Sequence, residues 1–572
     1  PPRFPKAPVT RKSGRSLRWE EIEVDGVWLE LDTRYGKLSV EDGNGIYMRK
    51  KGGRFELERI SLDSKKIPVY FIEKATVGVG EGKQISWVTL NRLVWKINDD
   101  LKLFTKDAQI RPSAGNRLSY EVEGRFLDNR GKLTAKGEYN RGEKTLDMTM
   151  DLEGARVGYL IPRRYPVKLK EQMTLSGKLH VVKTHLGFDI QYKGALRDVS
   201  VQHAMLADRP LDHLAFELDM EANYDHTSDT MELARARYTY RKVRGEIWGR
   251  IAHFSSKPLV HASFTVPSTP CQDVISSLPV ALFPNVSRFK LKGRFQSKVT
   301  AKIDFSQLDK RGVSLGGRID LDKCFVTYAP PYFRTTRLRG DFDFSITEPG
   351  GQRVVIPVDR QGDFFTPLEK ISPYMVKAVL TTEDGRFFRH RGFITSEFSS
   401  ALAKNLKAKR FKWGASSITM QVVKNVFLKR RKTLSRKLEE LFLTWHVERY
   451  VNKNRLMEIY LNIIEVGPNM YGVTRGARHF FGKEPEELTL KEAIYFASLL
   501  PSPKKRYAYF CKGKISSYWN RYLNQLLKIM LRRGRITHEE YQAGIAEEIT
   551  FDHTNFEGKY SCYRRIRRYQ GY

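Results

Sequence analysis

The spacing of the apolar residues changes once along this 572-residue chain, and that change constrains the architecture more than any other feature. From about Trp19 to Ile346 apolar and polar residues alternate, as in Leu146, Met148, Met150 and Leu152, in Leu214, Phe216, Leu218 and Met220, and in Val299, Ala301, Ile303 and Phe305. A period of two marks strands with one buried face. Breaks such as Asn140-Arg141-Gly142-Glu143 separate the runs, which favours antiparallel meanders over parallel strands with crossover helices. A degenerate unit, apolar-any-Gly-charged-apolar, recurs around Gly124, Gly177, Gly245, Gly293, Gly317 and Gly340. Glycine inside a strand marks a bulge or bend, so the repeat predicts a long curved sheet.

Beyond Thr347-Glu348-Pro349-Gly350-Gly351 the period becomes helical. Ser372-Pro373 reads as an N-cap with proline at the first helical position, followed by Met375, Val376, Val379 and Leu380 on one face. Thr489 and Glu492 form a capping box ahead of Ala493, Phe496, Ala497 and Leu500, and Pro501 stops that helix. Leu434, Leu438, Leu441 and Trp445 make another apolar stripe. The expected fold is multidomain α+β. It divides into a basic, Pro-rich segment (1–18), an all-β curved antiparallel sheet region (19–346), a linker (347–363), a mainly α-helical domain (364–552) and a basic tail (553–572). The tail, with Arg564, Arg565, Arg567 and Arg568, reads as a solvated or membrane-facing end.

Composition bounds the partners. With 41% hydrophobic and 29% charged residues the chain is a folded protein, too long for one core. A net charge of +35 suits nucleic acid, an anionic membrane or a phosphorylated substrate. No nucleic-acid recognition motif accompanies it, so that partner is set aside. No apolar run reaches the roughly 18 to 20 residues of a spanning helix. The chain begins at Pro1, and Pro1 to Pro8 lacks an apolar signal core, which reads as a processed or truncated chain whose anchor or signal lies upstream. A trimmed cytoplasmic protein is the blander alternative. Cys271, Cys324, Cys511 and Cys562 have neither zinc nor redox spacing. They permit the pairs Cys271 with Cys324 and Cys511 with Cys562, and four isolated buried thiols stay equally open.

Five short motifs run in order through the helical part. They are Glu383-Asp384-Gly385-Arg386-Phe387-Phe388-Arg389-His390-Arg391-Gly392, then Gly414 to Asn425 around Ser416-Ser417-Ile418-Thr419-Met420-Gln421, then Arg436-Lys437-Leu438-Glu439-Glu440. Tyr460-Leu461-Asn462 with Gly467 and Tyr471-Gly472 is the fourth, and Leu490-Lys491-Glu492-Ala493 running into Leu500-Pro501-Ser502-Pro503 the fifth. Glycosyl transfer needs a base for the attacking hydroxyl and a stabilised leaving group, and Glu383 and Glu440 are the carboxylates inside motifs. On a helix Arg436 and Lys437 share a face with Glu440, which suits that carboxylate to charge stabilisation rather than acid catalysis. From Lys404 to Lys437 there are twelve Lys or Arg and no Asp or Glu. Fixed cations stabilise a departing diphosphate, whereas a glycosidase releasing an alcohol needs a protonated acid. For Lys404 to Lys412 a solvated or membrane-contact face is at least as good a reading. Phe398, Leu402, Leu406, Phe411 and Trp413 among those cations suit a bilayer surface.

In order and spacing these motifs resemble the signature of the bacterial peptidoglycan glycosyltransferases, family 51, of the monofunctional transglycosylase type. The β-rich region resembles the AsmA/TamB-like periplasmic proteins in texture. The first resemblance covers roughly Phe364 to Thr550. It implies a lysozyme-like domain that polymerises lipid II by inverting transfer and releases undecaprenyl diphosphate, at the periplasmic face of the bacterial inner membrane. By motif it makes Glu383 the base for the acceptor's 4-hydroxyl and Glu440 the second glutamate, near the donor diphosphate. Lys424, Lys432, Arg436 and Lys437 would hold the diphosphate, and Ser416, Gln421 and Asn425 would line the wall. Asp384 and His390 join the substrate-binding set, or only tie the first motif together. Tyr460, Asn462, Tyr471 and Glu492 read as packing and capping. Two departures from the pattern, Met420 for a glutamine and Lys432 for an arginine, bear on donor affinity. The implied partners are lipid II, the growing strand, the membrane surface and cell-wall transpeptidases. No cofactor follows, with magnesium or manganese at the diphosphate left open. No Ser-x-x-Lys transpeptidase domain is expected. A lipid-handling scaffold with a degenerate helical domain and a lysozyme-like hydrolase are the alternatives.

Overall fold

The computed structural model describes residues 21–569 except 27–28, 34–35, 41, 49–51, 64–68, 81–84, 97–101, 114–115, 127–130, 157–167, 170–171, 311, 322, 348–352, 409–412, 430–432, 555 and 557. The chain forms two compact units. One comprises Pro1–Val201, Asp212–Arg241 and Glu246–Ser255, and the other Gln202–Leu211, Lys242–Gly245 and Ser256–Tyr572.

The first unit is antiparallel sheet. Strands Gly52–Asp63, Val69–Val79, Ile85–Lys96, Lys102–Ser113, Arg117–Phe126, Lys132–Asn140 and Thr145–Arg156 each pair with the next. The meander continues through Thr174–Lys183 to Gly187–Gln202. The alternation expected from sequence is present: Leu133 and Ala135 are buried between exposed Lys132, Thr134 and Lys136. The glycine repeat has a physical cause at Gly177. There the register steps from Leu152↔Gly177 to Ala155↔Leu175, φ is +140°, and a Cβ would stand 2.4 Å from Gly194 Cα. Only glycine fits such a bulge. Gly293 and Gly317 also have positive φ, whereas Gly124, Gly245 and Gly340 do not.

The second unit carries helices α1 (Cys271–Ser277), α2 (Pro373–Thr382), α3 (Thr395–Ala408), α4 (Ile418–Phe427), α5 (Leu434–Tyr450), α6 (Lys453–Ile463), α7 (Val473–Phe481), α8 (Leu490–Leu499), α9 (Pro503–Arg506), α10 (Ala508–Lys512), α11 (Ser517–Arg532), α12 (His538–Ala546) and α13 (Lys559–Tyr569). Pro373 and the Thr489–Glu492 capping box start α2 and α8 as read from sequence, although the Ser372 hydroxyl donates to Leu488 O instead of capping its helix.

Three boundaries differ from the sequence reading. Residues 256–346 do not simply extend the sheet: Val286, Phe289, Leu291, Phe333, Leu338 and Phe342 are buried in the same core as Met375, Val422, Leu456 and Phe496 of the helices. Alternation identifies a strand but not the core its apolar face joins, which is why this was illegible. Within the stretch 347–363 expected as a linker, Arg353–Val358 pairs with Phe342–Thr347 and buries Ile356 and Val358. Within the basic tail Lys559–Tyr569 is helical, with Cys562 and Ile566 buried and Cys562 bonded to Cys511. The other disulfide joins Cys271 to Cys324, so both permitted pairs form.

The stripe read on α5 is also displaced. Leu434 is exposed, and Leu438, Leu441 and Trp445 are only half-buried, while Ser435, Glu439, Glu440, Leu443, Thr444, His446 and Val447 are buried. Polar side chains occupy the inner face because each of Ser435, Glu439 and Glu440 has hydrogen-bond partners there. Among the described residues no helix is long and apolar enough to cross a membrane.

Candidate active site

Glu383 is the residue at which α2 ends, its N–H still donating to Val379 O. The helix therefore aims its last side chain from a fixed point. Gln421 on α4 donates to Glu383 Oε2 at 2.9 Å. Burial pushes the Glu383 carboxyl above its ordinary value, against the Gln421 hydrogen bond and the positive charges of Lys424 and Arg506, which pull it down. It remains half-buried, so it is desolvated yet reachable. A carboxylate with a raised pKa is a stronger base than one in water.

Asp384, next in sequence, is buried and serves the framework. It accepts from His390 Nε2 at 2.8 Å and from Ile418 N at 3.2 Å, the first turn of α4. His390 Nδ1 accepts from Gly392 N at 3.0 Å, so the ring proton sits on Nε2 and points at Asp384. Ser417, the N-cap of α4, accepts from Met420 N and donates to Gly392 O at 2.6 Å. Gly392 has φ +83°, and a Cβ there would stand 2.6 Å from Thr444 Cγ2 of α5. Motif one is thereby locked to motif two, and the partners of Asp384 and His390 are internal.

The second carboxylate, Glu440, is 1% exposed. Arg436 pairs with its Oε2, and Lys437 Nζ with its Oε1 at 2.7 Å. Lys437 also donates to Ser416 Oγ at 3.0 Å and Ala415 O at 2.9 Å, and the Ser416 hydroxyl lies 3.4 Å from Glu440 Oε1. Burial lowers the Lys437 pKa, partly offset by the Glu440 charge. Both cations keep partial exposure beside a carboxylate that has almost none. The short segment Ala415–Gln421 thus touches both carboxylates, Ser416 at Glu440 and Gln421 at Glu383.

Of the other expected residues, Lys424 and Asn425 lie three and four positions after Gln421 on α4, on the same helical face, and both are half-buried. Lys432 lies outside the described residues, as does Phe411 of the amphipathic segment. Met420 is buried at 1%, so its departure from the family pattern falls in packing rather than on the substrate side. Asn462 holds Thr366 through its backbone N–H and C=O, a structural role, and Tyr460 is buried beside Glu383 and Asp384. Arg506 was missed. Its charge reaches Glu383 from three residues past Pro503, where the fifth motif ends, and its guanidinium lies over the Trp519 ring at 4.7 Å. A cation just after a proline-stopped motif helix was the available signal. Among the described residues no group of three His, Cys, Asp or Glu could hold a metal ion, and Glu440's oxygens are taken by cations.

Residues 352–527 match the family model described as Transglycosylase. The biosynthetic peptidoglycan transglycosylase of Nitrosospira multiformis is 40% identical over 138 residues, 24% of this chain and 60% of that protein. Its counterpart in Bdellovibrio bacteriovorus is 42% identical over 141 residues, 25% of this chain and 56% of that one. Penicillin-binding protein 1A of Aquifex aeolicus is 36% identical over 203 residues, 36% of this chain and 27% of that protein. The chain therefore spans about 60% of the length of the first of these relatives and about a quarter of the last. The residues that follow the match complete α11 and form α12 and α13, whose Ile545 and Ile566 join the same core. The helical part of this chain is a transglycosylase domain homologous to the biosynthetic peptidoglycan transglycosylases and to penicillin-binding protein 1A.

Proposed function

We propose that this domain polymerises lipid II into glycan strands by inverting transfer at the periplasmic face of the inner membrane, releasing undecaprenyl diphosphate. The observation that carries this reading is the division of labour between its two carboxylates. Glu383 is desolvated and half-open, whereas Glu440 is buried and bound to Arg436 and Lys437. In the step proposed, the acceptor's 4-hydroxyl oxygen bonds to the donor's anomeric carbon as the bond from that carbon to the diphosphate oxygen breaks. The hydroxyl proton passes to Glu383, and the electron pair leaves on the diphosphate, where Arg436, Lys437 and Lys424 offset the charge. A raised pKa at Glu383 would equally suit the general acid of a hydrolase. The paired cations favour the polymerase, because an alcohol leaving group gains nothing from them. The alternating, half-buried strands of the first unit support the AsmA/TamB-like reading of that region.

The test is polymerisation of lipid II by the wild-type protein and by Glu383→Gln, with purified glycan strands incubated in parallel. Polymer from the wild type alone is expected. Soluble muropeptides without polymer would replace this reading with the hydrolase.

A further inference from the structure

Helix α5 delivers Arg436, Lys437 and Glu440 to the site, and beside its contacts with α4 and motif one it is held by partners that come from outside the matched residues. The first N–H groups of a helix have no partner within it, and in a phosphate-handling protein they are candidates for binding the anion. Here they are taken. Leu434 N donates to Met205 O at 2.8 Å and Ser435 N to Leu206 O at 2.8 Å, while Thr433 Oγ1 accepts from Arg436 N at 3.2 Å. Ser435 Oγ donates to Leu282 O at 2.9 Å. One turn on, Glu439 is 3% exposed and its two oxygens accept from Asn285 N at 2.7 Å and Asn285 Nδ2 at 3.1 Å. Further along the same face, Phe289 packs edge-on against Phe442 and His446, with ring centroids 5.0 and 5.7 Å apart. Apart from Thr433, which caps its own helix, every one of these partners precedes residue 352, where the family match begins.

The two faces of α5 are rigidly related. Ser435 and Glu439 stand one turn apart on one face, and Arg436 and Glu440 one turn apart on the next, about 100° round the axis. A rotation or slide that released Glu439 would move the cations by the same amount, and a misplacement of about 1 Å can cost a hundredfold in rate.

We infer that Glu439 and Asn285 are positioning residues of the transferase: the segments 203–206 and 281–289 form a seat that sets the rotation of α5 and so places Arg436, Lys437 and Glu440 for the diphosphate. Glu439 reaches no substrate in this arrangement and acts only through its helix. The inference rests on the proposed polymerase reading for what the cations bind.

The experiment uses the full chain and four variants. Glu439→Ala removes the acceptor. Asn285→Asp sets a second carboxylate against Glu439. Glu439→Gln keeps an acceptor for the Asn285 N–H, and the double variant Asn285→Asp/Glu439→Gln restores a donor facing an acceptor. Lipid II turnover, inhibition by inorganic pyrophosphate and the pH–rate profile are measured for each. Expected are at least a tenfold fall in kcat and at least fivefold weaker pyrophosphate inhibition in Glu439→Ala and Asn285→Asp. The acidic limb set by Glu383 on α2 should not move, Glu439→Gln should stay within twofold of wild type, and the double variant should recover. Unchanged pyrophosphate inhibition in Glu439→Ala overturns the inference, as does a loss shared by all four variants together with a moved acidic limb, which indicates general unfolding. If the wild type makes no polymer, the function proposed above fails, and pyrophosphate binding by calorimetry in the same variants still decides whether the seat sets the cation site.

Discussion

Replacing Glu383 by glutamine separates chemistry from folding. The glutamine keeps the volume and an amide oxygen that can still accept from Gln421 Nε2, now 2.9 Å from the carboxylate. What disappears is the base and a charge that burial disfavours. General-base catalysis contributes roughly 10² to 10⁴ in rate, or about 3 to 5 kcal/mol at the transition state. Polymerisation of lipid II, followed as conversion into long strands, should therefore fall by at least about a hundredfold. Stability should hold or rise. A carboxyl whose folded pKa is raised binds its proton more tightly in the native state, so the wild type loses stability as pH climbs from the ordinary carboxylate value through the raised one. Urea unfolding midpoints should show that loss between acid and neutral pH in the wild type, and less of it in Glu383→Gln. Polymer at near wild-type rate, or a neutral-pH midpoint well below the wild type's, would refute the assignment of Glu383 as a desolvated base.

Because Gln421 holds the Glu383 carboxyl down, Gln421→Ala should move the acidic limb of the pH–rate profile to higher pH, and an unmoved limb would separate the two residues. Arg436→Ala should slow turnover by roughly 2 to 4 kcal/mol of lost leaving-group stabilisation, read as kcat with lipid II. Burial lowers the His446 pKa to about 4, and neither ring nitrogen has a hydrogen-bond partner among the described residues. As pH falls from 6.5 toward 4 the unfolded chain takes up the proton first and stability is lost, so His446→Phe should flatten the acid side of the unfolding curve. The Cys511–Cys562 bond closes a sequence separation of 51, for which chain entropy gives about 4 kcal/mol, and Cys511→Ser/Cys562→Ser should show a clearly lower melting temperature by calorimetry.

The sequence was most readable where chemistry is local. Glu383, Gln421, Arg436, Lys437 and Glu440 were named from motif position, and the structure brings each into a defined hydrogen bond or ion pair. Capping at Thr489 was legible for the same reason, since its partner is three residues away. Long-range partners were not legible. Nothing in Ser435 or Glu439 announces that Leu282 and Asn285 satisfy them, so a hydrophobicity count set the inner face of α5 on Leu434, Leu438 and Leu441. Asp384 and His390 were read either with the substrate or as ties within the first motif; their mutual hydrogen bond fits the second reading, while the tie to Ile418 depends on the fold of two motifs at once and was not legible. The linker at 347–363 concealed a strand, because Arg353–Val358 is too short to display a period and is recognised only by its pairing with Phe342–Thr347.

The seat beneath α5 also orders events in time. Synthesis proceeds from the N-terminus, so residues 203–206 and 281–289 leave the ribosome before α5 has been made. The carbonyls and the asparagine that hold the helix are therefore synthesised before it. An incomplete chain ending before α5 holds Glu383 but neither Glu440 nor the Arg436 and Lys437 that pair with it, so on the proposed mechanism it should form no polymer. On the inference above, exchange of the upstream region for a tether of matching length would take away the contacts at Asn285 and Phe289 and leave α5 held by α4 and motif one alone.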